Sequence, residues 1–489
     1  MSVEFVKKFC AILIFFGIGA KFYGITDPWK KNDHYNFGGI YTTAYAECLK
    51  STPLAESKGV PHKRCWTNEP EYYRAHPPTL LFGFWGWTSV FGSAEWSYRL
   101  FILVFSTMNI GLIFLIGRQV RPGVFPWLAA AFQSTFLGNM YFGTHLDFIG
   151  EFTVFFVLLS SLFALKGRIT TAGLLALVAG ISAWPGYIAF GPLWAYTWLT
   201  GKGRKRIFAF GAFGFCLALA TMMWLQQTYD IVEFFRVKLF SPGYIKKEEK
   251  GFLEPLRFAS NFVSSNSRLL SPLFCVFAFM ELIMGEGRAF FTGWRNRFRN
   301  LTPFHHAVLL SSGTGLIYAL IGHEYFMVHV YLYLLFTPGL ALLAARFVEK
   351  LFAGDIPASL RKWQVTLTIV GLLFAALYPY GIYKTNVVHD ALTSVALIIC
   401  VLALIAQTWR KKLNPNFVAG LIAFGAAANF SQLLNYRNEP DTERSFCIKA
   451  REEFGRTGQP VVTVEPRSDA KDLMYCKDVP IIYSSESTK

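Results

Sequence analysis

Residues 98–117 read YRLFILVFSTMNIGLIFLIG, an apolar run whose one charge, Arg99, sits near its start. As a helix rising about 1.5 Å per residue it is long enough to cross a hydrocarbon layer of roughly 30 Å. The run is not isolated. Comparable segments lie at 9–26, 123–141, 149–165, 169–184, 186–200, 207–225, 269–285, 304–321, 326–345, 365–382, 391–408 and 416–433, about thirteen in all by window reading. The pair around Ala183-Trp184-Pro185-Gly186 is divided on Pro and Gly alone. Composition agrees with the runs: 53% apolar, 17% aromatic and 16% charged residues over 489 positions do not describe a soluble globule. The sequence predicts an α-helical polytopic membrane protein.

Basic residues give the expected orientation. With Lys7 and Lys8 on the cytoplasmic side, so too are Arg118, Arg121, Lys166, Arg168, Lys202, Arg204, Arg288, Arg295, Arg346, Lys350, Arg410 and Lys411. The opposite short loops hold almost none, Lys384 being the exception. The net charge of +16 is dispersed over many loops, which fits topology and anionic membrane lipid and calls for no nucleic acid. No small-x-small cleavage site precedes Lys21, so the first span reads as uncleaved. The expected location is the plasma (inner) membrane, with the C-terminus extracytoplasmic.

Cys10, Cys216, Cys275 and Cys400 fall inside apolar spans, where a thiol behaves as a small hydrophobe. Cys48 with Cys65, and Cys447 with Cys476, fall in pairs in outward segments, where oxidising conditions favour disulfides over free thiols. No CxxC or CxxH spacing suggests a zinc site, and the outward acids are too dispersed to argue for a metal. No cofactor is expected.

The transmembrane domain is taken as 1–435, with large outward loops at 26–97 and 226–268. In the tail, 436–489, the pattern changes to a helix at 443–454, a strand at 460–464, a short helix at 469–474 and a second strand at 479–483, a small α/β segment. The first outward loop holds NDHYNFGGIYTTAYAECLK, residues 32–50, with an apolar stripe at 37, 40, 41, 44, 45 and 49 that suits a helix lying in the membrane interface. Gly38-Gly39 is expected to turn the chain into that helix. A second interfacial helix follows His76-Pro77-Pro78, rich in Trp and Phe and uncharged as far as Glu95. Two such helices would roof a cavity at the membrane surface, with Asp33 and His34 at its mouth and His76 at its edge.

These features resemble the first half of the glycosyltransferase-C superfamily. They are an acid after the first span, an interfacial helix, Ala75-His76-Pro77-Pro78-Thr79 and Phe91-Gly92-Ser93-Ala94-Glu95-Trp96-Ser97-Tyr98-Arg99-Leu100. The likeness is to the branch of protein O-mannosyltransferases and lipid A aminoarabinose transferases, the family 39-like enzymes. Gly143-Thr144-His145-Leu146-Asp147 resembles that branch's second outward acid. Gly322-His323-Glu324-Tyr325-Phe326, before an apolar run containing Pro338-Gly339, resembles its His/Asp-Tyr element.

The resemblance implies a bundle of the same type, and an inverting transfer of a sugar from a polyprenyl-phosphate donor to a glycan, lipid or protein acceptor on the outer face. It implies Asp33 as the base that takes the acceptor proton and Asp147 as a second, orienting acid, with Glu151 a weaker candidate one helical turn on. His76, Arg268 and His323 would meet the leaving phosphate, Tyr325 would donate a hydrogen bond, and His34 and Glu324 would line the substrate site. Two departures stand out. His76 replaces a lysine of the aminoarabinose branch, and His34 takes the place of a second acid after Asp33. Without the resemblance, Asp33 reads as a solvated loop acid, His145 and Asp147 as caps of the next helix, and His323-Glu324 as a surface turn. The competing class is a transporter or lipid flippase. Against it, no inverted repeat relates the two halves, and ionisable residues inside the spans are few.

Overall fold

The structure, a computed structural model, describes residues 2–23, 25, 34–63, 71–72, 76–146, 150–226, 271–284, 286, 301–321, 330–353, 414–437, 442–463 and 481–483. It is a helical bundle. Helix α1 is Val3–Tyr23, and the stretch that follows contributes α2 (His34–Ser51), α3 (Leu54–Ser57), strands β1 (His62–Lys63) and β2 (Glu71–Tyr72), and α4 (Thr79–Phe91). The two strands pair antiparallel, His62 opposite Tyr72. Next come α5 (Glu95–Val120), α6 (Phe125–Thr135), α7 (Leu137–Phe142), α8 (Glu151–Leu165), α9 (Ile169–Ser182), α10 (Trp184–Tyr187), α11 (Phe190–Thr200) and α12 (Arg204–Gln226). The later helices are α13 (Pro272–Met284), α14 (Pro303–Ile321), α15 (Thr337–Phe352), α16 (Pro415–Arg437) and α17 (Thr442–Thr457).

Among the described residues, three helices are long and apolar enough to cross a membrane by length and composition: α5, α12 over Arg204–Leu225, and α14. Shorter apolar helices accompany them at Glu151–Leu165, Ile169–Ser182 and Leu273–Leu282. The spans expected at 365–382 and 391–408 lie outside the described residues, as do the second outward loop from 227 and the short helix at 469–474.

Three expectations change in detail. The span expected at 123–141 is two helices that break at Phe136 (φ −57°, ψ 133°). A break inside an apolar layer frees backbone groups that water cannot reach, and neighbours must satisfy them. Here the amide of Leu137 donates to Ser271 Oγ at 3.0 Å, and Asn429 Nδ2 donates to the Thr135 carbonyl at 2.8 Å and to Ser271 Oγ at 2.6 Å. The run at 326–345 contains a 3-10 turn, Val330–Leu335, and the α-helix starts only at Thr337, where Pro338 in the first turn costs no hydrogen bond. Finally, Gly38 and Gly39 do not make a bend. They lie inside α2, which already begins at His34.

The main core is formed by α1, α4 to α8 and α13 to α16, with Leu80, Phe84, Ile102, Ile113, Phe132, Phe274, Leu342 and Val418 fully or almost fully buried. A second cluster joins α8, α9 and α11 through Ala164, Ala172, Ala176 and Leu193, with Leu310 of α14. Small residues let the helices close up, as expected where apolar surface alone gives no advantage over lipid. At Gly17 an added Cβ would sit 2.4 Å from the Ser134 carbonyl oxygen, so α1 and α6 meet backbone to backbone. In the tail, β3 (Val461–Thr463) and β4 (Ile481–Tyr483) pair in parallel, and Val461 packs with Ala450 and Phe454 of α17.

Candidate functional site

Helices α1, α5 and α8 meet around a set of polar side chains sealed from solvent. Lys21, in the last turn of α1, is fully buried, and its ammonium donates to Ser106 Oγ at 2.6 Å. Ser106 in turn donates to Glu151 Oε1 at 3.0 Å. Asn109, one turn along α5 from Ser106, donates through Nδ2 to Glu151 Oε2 at 2.6 Å and to the Glu151 carbonyl at 2.9 Å. Glu151, the first residue of α8, is 1% exposed. Burying a lysine or a carboxylate is costly unless the charge is compensated and hydrogen-bonded. This arrangement supplies both.

The segment leading into α8 packs on the same residues. An added Cβ at Gly143 would lie 2.7 Å from Lys21 Cδ, so the lysine stem occupies the space that only glycine leaves open. Arg99, 2% exposed near the start of α5, reaches the Thr144 carbonyl through Nη1 at 3.4 Å. His145 is buried, with Nδ1 2.5 Å from the Tyr141 carbonyl and its ring 4.4 Å from that of Tyr141. Leu146 is 1% exposed. Residues 143–146 are therefore held by α1, α5 and α7 together. The N-cap of α8 is Gly150, with no side-chain cap hydrogen bond.

The stretch between α1 and α5 is fastened to α5 by polar contacts. Tyr98 donates its hydroxyl to the Glu47 carboxylate of α2. Lys50 donates to Ser93 Oγ at 2.6 Å and pairs with Glu47 at 3.3 Å. Thr52 Oγ1 lies 2.9 Å from His62 Nε2, and Cys48 is buried. His76 is half-buried at the entry to α4, where Pro77 and Pro78 are buried and Pro78 takes the N-cap position. Farther along, Trp224 of α12 donates Nε1 to the Lys58 carbonyl at 3.0 Å, joining the end of α12 to this loop.

Of the site residues expected from sequence, His76 and Cys48 are described with their side chains. His34 and Cys447 are placed by backbone, in α2 and α17. Asp33, Asp147, Arg268, His323, Glu324, Tyr325, Cys65 and Cys476 lie outside the described residues. Sequence reasoning passed over Lys21, Ser106 and Asn109 and discounted Glu151. The available signal was a lysine, a serine and an asparagine interrupting apolar runs, and intramembrane ionisable residues are functional candidates by default.

A second polar cluster sits at the other end of α5. Lys350 donates to both oxygens of Glu281, at 2.7 and 2.9 Å, and Glu281 is fully buried. Arg346 pairs with Glu286 and, at 2.6 Å, with Glu349, which also meets Arg121 at 3.3 Å. His305 Nε2 lies 2.7 Å from the Glu286 carbonyl. A cavity of 330 Å³ opens here, lined by Arg121, Glu286, Thr302 and Arg346 with Val120, Phe125, Pro303 and Phe304.

The described helices include three long and apolar enough to cross a membrane, and the overall fold is shared with solved structures of ArnT and of an oligosaccharyltransferase. The fold is shared with ArnT from Cupriavidus metallidurans in a crystal structure with undecaprenyl phosphate bound, at a TM-score of 0.55 and 17% identity over 100% of this chain and 87% of that one. The apo form of the same protein gives a TM-score of 0.57 at 16% identity, covering 99% and 86%. The apo oligosaccharyltransferase of Archaeoglobus fulgidus gives 0.51 at 12% identity, covering 98% of this chain and 64% of that longer one. No family model and no curated protein matches the sequence.

Proposed function

We propose that the protein is an inverting glycosyltransferase that moves a sugar from a polyprenyl-phosphate donor to a glycan, lipid or protein acceptor at the outer face of the membrane. The observation that carries this reading is the fold shared end to end with a protein crystallised with undecaprenyl phosphate. The buried polar set beside the 143–146 segment supports it, because that segment leads directly to Asp147.

In this reading Asp33, one position before α2, is the base. It accepts the proton of the acceptor nucleophile as that atom attacks the anomeric carbon and the bond to phosphate breaks. Asp147 orients the acceptor or the base. Arg268, His76 and His323 face the charge that develops on the leaving phosphate, where preorganised cations and donors are most effective. Tyr325 donates a hydrogen bond, and His34 and Glu324 contact substrate. The N-terminus is cytoplasmic, and the outward loops and tail lie on the far side. There Cys48 pairs with Cys65, and Cys447 with Cys476.

The test is direct. Purified protein in lipid nanodiscs is offered radiolabelled polyprenyl-phosphate sugars with candidate acceptors, and wild type is compared with Asp33→Asn. The expected loss on Asp33→Asn is about 10²- to 10⁴-fold, the usual weight of a general base. Equal rates would remove Asp33 from the mechanism. No transfer from any donor would remove the glycosyltransferase reading and leave a transporter or flippase.

A further inference from the structure

The buried charges of Lys21 and Glu151 have no part in the chemistry proposed above, yet among the described residues they form an almost fully enclosed ionisable pair joining separate helices. Their hydrogen bonds run in one direction: Lys21 Nζ donates to Ser106 Oγ, Ser106 donates to Glu151 Oε1, and Asn109 holds Oε2 and the carbonyl of the same residue. Both carboxylate oxygens of Glu151 thus have a donor, Ser106 on Oε1 and Asn109 on Oε2, which fixes the orientation of the carboxylate. Replacing a buried ion pair with apolar residues is often neutral or stabilising, so overall stability is a poor explanation for such a pair. Register is a better one. The pair fixes where the end of α1 stands against the start of α8, and the lysine stem fills the gap over Gly143.

We propose that Lys21 and Glu151, bridged by Ser106 and Asn109, are positioning residues. They set residues 143–146, which run on to Asp147 in the sequence, and the start of α8 relative to the exit of α1. The segment is held at one end by Arg99 on the Thr144 carbonyl and by Lys21 on Gly143, and at the other by the hydrogen bonds from Asn109 to Glu151. The two ends share the same four-residue network, so a shift of α1 moves both. The catalytic part of this proposal rests on the transferase reading. The structural part does not.

The test uses the full chain in nanodiscs and two independent readouts. Lys21→Met leaves Glu151 uncompensated and can fail to fold, so the informative variant is Lys21→Met/Glu151→Gln, which removes both charges and keeps hydrogen-bonding atoms near Ser106 and Asn109. Its expected thermal midpoint is close to wild type. Amide hydrogen exchange over 143–150 is expected to quicken about tenfold, with exchange in α9 and α14 unchanged. The expected kcat is down about 10- to 100-fold with KM within about twofold, the signature of misplacement rather than lost binding. Unchanged exchange over 143–150 overturns the proposal, and faster exchange with a wild-type kcat overturns its catalytic part if Asp147→Asn itself abolishes transfer. Asp147→Asn separates the two readings. If it transfers sugar at the wild-type rate while the double variant exchanges faster, the clamp stands and the role given to Asp147 falls.

Discussion

The two ends of α5 handle buried charge in opposite ways. Near its first half, one lysine and one carboxylate are enclosed by hydroxyl and amide groups, with Lys21 fully buried and Glu151 1% exposed. About 22 Å farther along the helix, from Ser106 to Arg121 at 1.5 Å per residue, three cations and three carboxylates alternate. They are Arg121, Arg346 and Lys350 with Glu281, Glu286 and Glu349, and Arg121 is half exposed. In the second cluster each charge has a charged neighbour, and several have access to water, so losing one leaves the others partly served. In the first there is no spare partner. The difference teaches where a substitution will be felt and where it will be absorbed.

That contrast can be broken by experiment. The largest effect is expected for Lys21→Met alone, which strands the Glu151 carboxylate. Such losses amount to about 3–5 kcal/mol, read as a fall in the thermal unfolding midpoint in detergent. An unchanged midpoint would mean that the carboxylate is neutral or wet. Gly143→Ala pushes a methyl into the Lys21 stem and is expected to cost about 1–3 kcal/mol by overpacking. The double variant Gly143→Ala/Lys21→Ala should then cost less than the sum of its single changes, because the Cδ and Cε that the methyl meets are gone. Lys350→Met removes the donor to both oxygens of Glu281, but Arg346 remains close, so a loss of about 1.5–3 kcal/mol is expected. The smallest effect belongs to Arg121→Ala. Its pair with Glu349 is solvent-screened, and about 0–1 kcal/mol is expected, shrinking further in high salt. If Arg121→Ala proved as damaging as Lys21→Met, the two ends would not differ in kind.

Much of the bundle was legible because apolar length is a local signal. The run 98–117 became α5, 149–165 became α8 and 416–433 became α16, each within a few residues. The break at Phe136 was not legible, because no Pro or Gly marks it. It persists through Ser271 and Asn429, which lie more than a hundred positions away. Gly38-Gly39 misled for the opposite reason. Glycine permits a turn but also fits a helix at a cost of about 1 kcal/mol each, and the local sequence does not say which.

The site was legible only through ordered motifs. Those motifs drew attention to Asp33, His76 and Asp147, whereas the described polar network needs Lys21, Ser106, Asn109 and Glu151 from three helices. Averaging over a span-length window dilutes a serine and an asparagine among isoleucines and phenylalanines. Only the packing of α1, α5 and α8 reveals that they face one another.

The bond from Trp224 to the Lys58 carbonyl has a consequence for how the chain tolerates change. Helix α12 is only 11% buried over its most apolar window, against 56% for α5, with Phe208, Phe213 and Phe215 exposed on the bundle surface. Little of this helix is covered by the other described residues, so their packing asks it to be apolar and little else. Its identity is concentrated in its last turn, where one indole meets one carbonyl beside Gly59, a residue in the left-handed region (φ 72°). A saturation library should therefore accept almost any apolar residue at positions 208, 213 and 215, reject most at 224, and so give α12 a pattern of freedom opposite to that of α5.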